Sequence, residues 1–364
     1  MRTLIRSVLV VVLFAVPALA QELGDAKMKA ANKAASTVVR ERMAQERPAD
    51  AKLLQNVESA DIVVVRGEYD RVEDVLQTLN IKHTVVEPGQ VSQLKLNAKQ
   101  LLIVDCPGNL DDAGIERVRK FVNAGGYLYT TDWALLEVVQ KAFPGYVEFN
   151  GQATGNDVVA VQVKQSDNNL LKHLTLSKED PKWWLEGSSY PIRILNKDKV
   201  DVLITSREMK TKYGDAPIAI HFRYGDGQVL HIASHFYLQQ NQTRTMAEAK
   251  KSSAYIQEDA QLSESTKKAL KGKVEFSDDV VAGDLSSAYA AQQMTSNIVV
   301  ERKKDQDRIE GLYGKTIKAA PPAPSKGGPA LGVGTRVKEL ERKGDEVKVR
   351  TMEGDERWVP ASSL

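Results

Sequence analysis

A single cysteine, Cys106, stands in 364 residues. No intramolecular disulfide can brace such a chain, so its fold has to rest on its core. An excess of one charge is lacking too: 50 Lys and Arg face 48 Asp and Glu. Without the basic excess that a phosphate backbone demands, the balance argues against nucleic acid as a partner. No Gly-rich loop has Walker or dinucleotide spacing, because Gly125-Gly126 precedes a strand rather than a helix. No cofactor is expected. The apolar run Val8 to Val16 falls short of the about 20 residues a membrane span needs.

That short run is informative in another way. Arg2 and Arg6 precede it and Ala18-Leu19-Ala20 follows, the pattern of an export signal cleaved after Ala20. The alternative is an uncleaved N-terminal anchor. Cleavage takes away two arginines and no acids, leaving a neutral mature chain with no membrane span. The expected location is periplasmic or secreted.

A length of 364 residues with 42% hydrophobic and 27% charged composition suits a globular body plus a smaller module. Residues 21–59, rich in Ala, Lys, Glu and Arg, read as a solvated helical lead-in with a thin apolar face. Asp61 to Val65 (DIVVV) is a strand of the buried parallel type, followed by a helix from Val72 to Leu79 and a strand from Lys82 to Val86. Leu101 to Val104, a helix from Asp111 to Asn123, and Tyr127 to Thr130 make a βαβ unit. This alternation predicts a doubly wound, mostly parallel sheet, with candidate site residues at the carboxyl ends of its strands.

Farther on, Leu135 to Ala142 reads as a short helix and Val158 to Val163 as a strand. Trp183-Trp184 reads as a hydrophobic lid, with a ligand platform as the alternative. Val200 to Thr205 is a strand, and the turn Tyr224-Gly225-Asp226-Gly227 joins Ile218–Arg223 to Gly227–Ser234 as an antiparallel hairpin. The body is expected over 60–238. Residues 239–318 read as a polar excursion and helical extension whose charged end, Glu301 to Glu310, faces solvent. Residues 319–332 (AAPPAPSKGGPALG) are a linker, and 333–364 a small β module of three strands.

Two stretches resemble known families. DIVVVRG, LLIVDCPGNLDDAGIERVRKFVNAGGYLYTTDWA and YGDGQVLHIASHF make the body similar to the class I glutamine amidotransferase-like superfamily, in the branch that includes trehalose-utilisation-type domains. This implies a flavodoxin-like fold. An active member carries its nucleophile as Gly-x-Cys-x-Gly on the turn after the strand that corresponds to Tyr127–Thr130. Here that turn reads Thr130-Thr131-Asp132-Trp133-Ala134, and the cysteine is missing. Cys106 lies one strand earlier, where the family places an oxyanion-hole loop. Gly334-Thr335-Arg336-Val337 and Gly354 to Leu364 (GDERWVPASSL) resemble the second half of a bacterial SH3-like domain, implying a cell-wall or envelope-protein partner.

The candidate ligand-binding residues are Asp105, Cys106, Asn109, Asp132, Trp133 and His235. Among them Cys106, Asp132 and His235 are candidates for catalysis. A catalytic thiol needs a lowered pKa and a base in reach. Asp105, Asp111 and Asp112 crowd the Cys106 loop with negative charge, which works against a thiolate, so Cys106 reads first as structural. Asp132 reads first as an N-cap for the following helix. His221 and His231 read as a cross-strand pair. His231 and His235, four apart, would stand about 13 Å apart along a strand. With Asp132 and Asp105 these histidines can be drawn as a mononuclear metal site, but it has no support, so no metal is expected. The leading expectation is an exported, non-catalytic binding or scaffold protein of the envelope. The alternative is a hydrolase of a small molecule or glycan, using Cys106 or Asp132 with His235.

Overall fold

The computed structural model describes residues 12–164, 167–179, 181–235, 241–321 and 331–364, with side chains from Asp25 onward. Most of the linker, and Phe236 to Gln240 after His235, lie outside the described residues.

In chain order the elements begin with helices α1 (Val12–Glu46) and α2 (Pro48–Gln55), strand β1 (Ile62–Val65), α3 (Val72–Thr78), β2 (Thr84–Val86), β3 (Leu101–Val104), α4 (Asp112–Ala124) and β4 (Tyr127–Thr131). A π-helical turn (Leu135–Val139) leads into the short α5 (Gln140–Ala142). Then come β5 (Val147–Phe149), β6 (Asp157–Ala160), β7 (Gln162–Val163), β8 (Lys182–Leu185), β9 (Ile192–Ile194), β10 (Val200–Thr205), α6 (Arg207–Tyr213), β11 (Pro217–Tyr224) and β12 (Gly227–Ile232). Helices α7 (Ser252–Glu258), α8 (Glu264–Leu270) and α9 (Ala282–Leu312) precede the closing strands β13 (Lys315–Thr316), β14 (Arg336–Lys343), β15 (Glu346–Thr351) and β16 (Glu356–Pro360).

The central sheet runs β2-β1-β3-β4-β12-β11-β10-β7. From β2 to β12 neighbouring strands are parallel, and β12, β11, β10 and β7 pair antiparallel. The expected mixed α/β class is what the chain adopts. Side-chain alternation divides the sheet cleanly. Ile62, Val64, Leu101, Ile103, Tyr127, Tyr129, Leu230 and Ile232 face α1, α3 and α9. Val63, Val65, Leu102, Val104, Leu128 and Val229 face α4 and the π turn. Two filled faces, each fully buried Val, Leu or Ile giving about 1.5 to 3 kcal/mol, account for a fold that needs no disulfide.

The structure corrects the reading of the flanking helices. α1 is not a solvated lead-in: Met28, Ala31, Ala35, Val38, Val39 and Met43 are buried in the core. α9 is a central helix of the core, and its charged end, though partly exposed as expected, buries Arg302 and Ile309. Its polar residues form a seam in which most buried groups find hydrogen-bond partners, Gln292 Oε1 being an exception. The guanidinium of Arg42 donates to Tyr289 Oη (2.8 Å), to Glu46 Oε2 (2.9 Å) and to Gln261 O (2.9 Å). Asn297 Nδ2 donates to Leu170 O and Lys172 O, both at 2.9 Å, while Arg47 and Gln293 donate to its Oδ1. Arg302 donates to the carbonyls of Lys99 (2.9 Å), Gly125 (3.0 Å) and Ala98. These bonds release the helix from needing an apolar stripe.

At the C-terminus, β13 adds a fourth strand to the expected three, in the order β13-β14-β15-β16. The small sheet also leans on the body. Ala98 N donates to Met352 O (2.8 Å) and Arg350 Nη1 to Asn123 O (2.9 Å). Gly354 (φ +88°) sits so close that an added Cβ would meet Lys120 O at 2.6 Å.

Candidate functional site

The parallel strands β1, β3, β4 and β12 end side by side, so the loops after Val65, Val104, Thr131 and Ile232 meet at one edge. Open α/β sheets place their ligands at this carboxyl edge. The first two loops press together at Gly67, where an added Cβ would lie 2.3 Å from Cys106 O. Glu68 N and Tyr69 N donate to that same carbonyl (3.0 and 3.2 Å). Thr131 Oγ1 accepts from Cys106 N (3.1 Å), tying the Cys106 loop to the end of β4.

Asp132 follows β4 in the left-handed region, with φ +40°. Asp tolerates this better than most residues, and non-glycine residues held there concentrate at functional sites. Its backbone N donates to Ile232 O (2.8 Å). Its carboxylate does not cap the helix that follows: Oδ1 accepts from Tyr190 N (2.8 Å) and Oδ2 from Ser189 Oγ (3.1 Å). The capping role is thereby corrected, because the elbow turns the side chain away from its own helix and toward the loop after β8.

That loop belongs to a ribbon of β6 and β8. Trp183 and Trp184 are ribbon residues, 0% and 9% exposed, rather than a surface lid. Ser234 Oγ donates to Trp184 O (2.7 Å), pinning the end of β12 against the ribbon. Glu186 is thus carried beside His235, where its Oε2 lies 2.5 Å from Nδ1. On the other edge of the imidazole, Nε2 stands 3.3 Å from Asp132 Oδ2. Cys106 Sγ, an Asp132 carboxylate oxygen and a His235 ring nitrogen all lie within 4.8 Å of one another, and all three residues are buried.

Electrostatics follow from this crowding. Burial alone would disfavour charge on His235, but Asp70, Asp132, Cys106 and Glu186 outweigh it and raise the imidazole well above its usual range. Burial lifts the Asp132 carboxyl, while His235, Tyr190 N–H and Ser189 draw it back down. The two directions conflict for a pair this close. With Tyr190 N–H and Ser189 Oγ–H aimed at the carboxylate, an ionised Asp132 facing an imidazolium is the state the geometry supports. Burial pushes the Cys106 thiol up to about 11, against the pull of His235.

The expected residues are distributed unevenly. Cys106, Asp132 and His235 converge. Trp133 borders them, donating from Nε1 to Ser188 O (2.7 Å), stacking on Tyr190 (5.6 Å between centroids) and meeting Tyr69 edge-on (5.1 Å). Asn109 lies exposed on the rim, donating to Glu68 Oε1 (3.2 Å). Asp105 is turned toward α3, where it accepts from Val72 N (3.1 Å). Burial, Asp70 and Glu73 raise its carboxyl well above the usual range. His221 and His231 are not a cross-strand pair, since the register sets them opposite Leu230 and Ile220 on opposite faces. His231 is buried beside Thr130 Oγ1 (2.8 Å), and burial lowers its imidazole to about 3.

Sequence reasoning missed Glu186, Ser189, Tyr190 and Asp70. The only local signal was Glu186-Gly187 ending the tryptophan strand. Chemically, the cluster can hold a proton between imidazole and carboxylates, hydrogen-bond a polar ligand, or surround a cation.

No family profile and no curated protein matches the chain. Several solved structures are similar to parts of it. A β-galactosidase from Rahnella sp. R3 is 16% identical over 49% of this chain, with a TM-score of 0.35, and the chain covers only 29% of that protein. A ThuA-like protein from Bacteroides uniformis is 13% identical over 49% of this chain and 83% of its own, with a TM-score of 0.36. A β-galactosidase from Bacillus circulans is 12% identical over 86% of this chain and 43% of its own, with a TM-score of 0.39. These likenesses concern the order of strands and helices and say nothing of activity.

Proposed function

We propose that the carboxyl-edge cluster is a hydrolytic centre for a small polar molecule or glycan, with His235 as its central group, Glu186 as a positioning residue and Cys106 or Asp132 meeting the substrate. One observation carries this reading: His235 is bracketed, with Glu186 at Nδ1 (2.5 Å) and Asp132 with Cys106 on its other side. An orienting carboxylate behind an imidazolium that faces the reacting residues is an arrangement for general-acid proton donation to a leaving group. The test is hydrolysis of a panel of nitrophenyl esters, nitrophenyl glycosides and simple amides by the full chain and by His235→Ala. Loss of about 10²- to 10⁴-fold in the variant is expected. Absence of hydrolysis by the wild-type chain, or equal rates in the two, would overturn the reading.

A second reading, a non-catalytic binding or scaffold role, is favoured by the state of the thiol, which is 1% exposed and pushed up to about 11. Iodoacetamide kinetics discriminate. A Cys106 that reacts no faster than free cysteine near neutral pH removes the thiol as nucleophile. In either reading the body is taken as amidotransferase-like without the family's elbow cysteine, exported through a signal ending at Ala20. The four-stranded C-terminal sheet is taken as an SH3-like module for a wall or envelope-protein partner. Deleting residues 333–364 and measuring envelope association checks that part.

A further inference from the structure

The bracket around His235 has a property that proton transfer leaves unused. Its Nε2 lies 3.3 Å from Asp132 Oδ2. This is longer than the about 2.7 to 2.9 Å of a charge-assisted hydrogen bond. It matches the edge of a tetrahedron: with metal bonds of about 2.0 to 2.1 Å, neighbouring N and O ligands stand about 3.3 to 3.4 Å apart. Cys106 Sγ lies within 4.8 Å of both, near enough to supply a third ligand after a small shift. The donor set is thus one sulfur, one nitrogen and one oxygen, all buried, from three different strand ends.

The surroundings fit the same purpose. Glu186 takes the Nδ1 side of His235 at 2.5 Å. That leaves Nε2 as the ring nitrogen facing Cys106 and Asp132, so a cation entering there would displace the imidazolium proton, and the carboxylate at Nδ1 is the support common to ligating imidazoles. Tyr190 N and Ser189 Oγ fix the Asp132 carboxylate. Thr131 Oγ1 anchors the Cys106 backbone. His235 and Asp132 are thus each oriented by partners of their own, and the backbone that carries Cys106 is anchored. A dication would be balanced by a thiolate and a carboxylate. Mixed sulfur, nitrogen and oxygen donors in a tetrahedral arrangement suit Zn²⁺ better than the oxygen-seeking Mg²⁺ or Ca²⁺. Three protein ligands leave one position open, the pattern of a reactive rather than a structural site.

We infer that Cys106, Asp132 and His235 form a three-ligand site for a divalent transition metal of the Zn²⁺ class, with Glu186 as the positioning residue behind His235. The sequence suggests such a site only with Asp105, and the structure turns that residue to Val72 N and puts Cys106 in its place. The inference goes beyond the hydrolytic reading and stands without it, because it concerns binding.

The experiment strips the full chain with a chelator, removes the chelator, and titrates with Co²⁺ and Zn²⁺ against a competing chromophoric chelator. One equivalent is expected, with a thiolate-to-cobalt charge-transfer band that Zn²⁺ abolishes. Cys106→Ser should lose the band and weaken Zn²⁺ binding at least about 100-fold. Glu186→Gln should keep the band and weaken binding about tenfold. Glu186 is partly exposed, so this variant carries the test even where Cys106→Ser fails to fold. No stoichiometric binding, bound Co²⁺ without a thiolate band, or unchanged affinity in Glu186→Gln would overturn the inference. Hydrolysis by a chain that binds no metal would overturn it and leave the hydrolytic reading intact. Bound metal without hydrolysis would do the reverse.

Discussion

Two regions of this protein bury polar side chains, and they do so in opposite ways. In and around α9, the seam's arginines find an opposite partner or a carbonyl: Arg42 meets Glu46 and Tyr289, Arg47 meets Asn297 and Asp50, and Arg302 meets three main-chain oxygens. At the sheet edge, Asp70, Asp132 and Glu186 crowd a single imidazole and a thiol. The first arrangement neutralises itself and holds elements together. The second keeps an excess of acid around a group that can move a proton or bind a cation. Burial of polar atoms is thus no indicator of function. The balance of charge among the buried atoms separates the seam from the site.

The sharpest way to break this contrast is to remove a seam residue. Arg302→Met leaves the carbonyls of Ala98 and Gly125 without their buried donor and Lys99 O with Gln306 Nε2 alone. A loss of about 3 to 5 kcal/mol is expected in urea unfolding, and a loss below about 1 kcal/mol would mean that the seam is not structural.

The next effect is a tilt of stability with pH that runs in opposite directions for the two regions. At Glu46, burial opposes ionisation, but Ser263 N–H, Arg42 and Thr266 draw the carboxyl down to about 2 from its ordinary 4.5. Its contribution is present above about 4.5 and is lost as pH falls toward 2, on the order of 1 kcal/mol after solvent screening. His235 is raised, so its contribution is present below the ordinary 6.5 and is lost as pH climbs through the elevated value. Urea midpoints across pH should therefore sag at both ends. Glu46→Gln should flatten only the acid limb and His235→Gln only the alkaline one.

The smallest effect is expected at the site itself. Asp132→Asn keeps the left-handed elbow, which Asn also tolerates, and removes one of several crowded acids. Stability should stay within about 1 kcal/mol of wild type by thermal or urea unfolding. A drop comparable with that of Arg302→Met would place Asp132 in the same class as the seam and dissolve the distinction.

Much of the sheet was legible because its signals are local. Val200 to Thr205 is apolar, β-branched and bounded by turn residues, and its limits agree with β10. Tyr224-Gly225-Asp226-Gly227 dictates the β11–β12 hairpin, which forms as expected. Cys106, Asp132 and His235 were legible as residues at strand ends. Glu186 was not, because it reaches His235 only through the β6–β8 ribbon and a contact 49 positions along the chain. Helices α1 and α9 were misread for a different reason. Ala31, Ala34 and Ala35 bury without producing a strong apolar stripe. Gln293 and Asn297 bury because their bonds are met elsewhere in the fold, which hydrophobic periodicity does not report. Asp132 before a helix carries the signature of a cap, and the elbow that redirects it is a property of backbone angles.

The pairing of α1 with α9 also bears on how the chain comes into being. Arg42 reaches Tyr289 across 247 positions and Arg47 reaches Asn297 across 250. The part of that sheet face which α9 covers consequently stays open on the ribosome until nearly the whole body has been synthesised, and contacts of such range close slowly. A chain ending at Val281 should behave as a holdase client that lacks a cooperative urea transition, and a sharp transition in that fragment would refute this order of assembly.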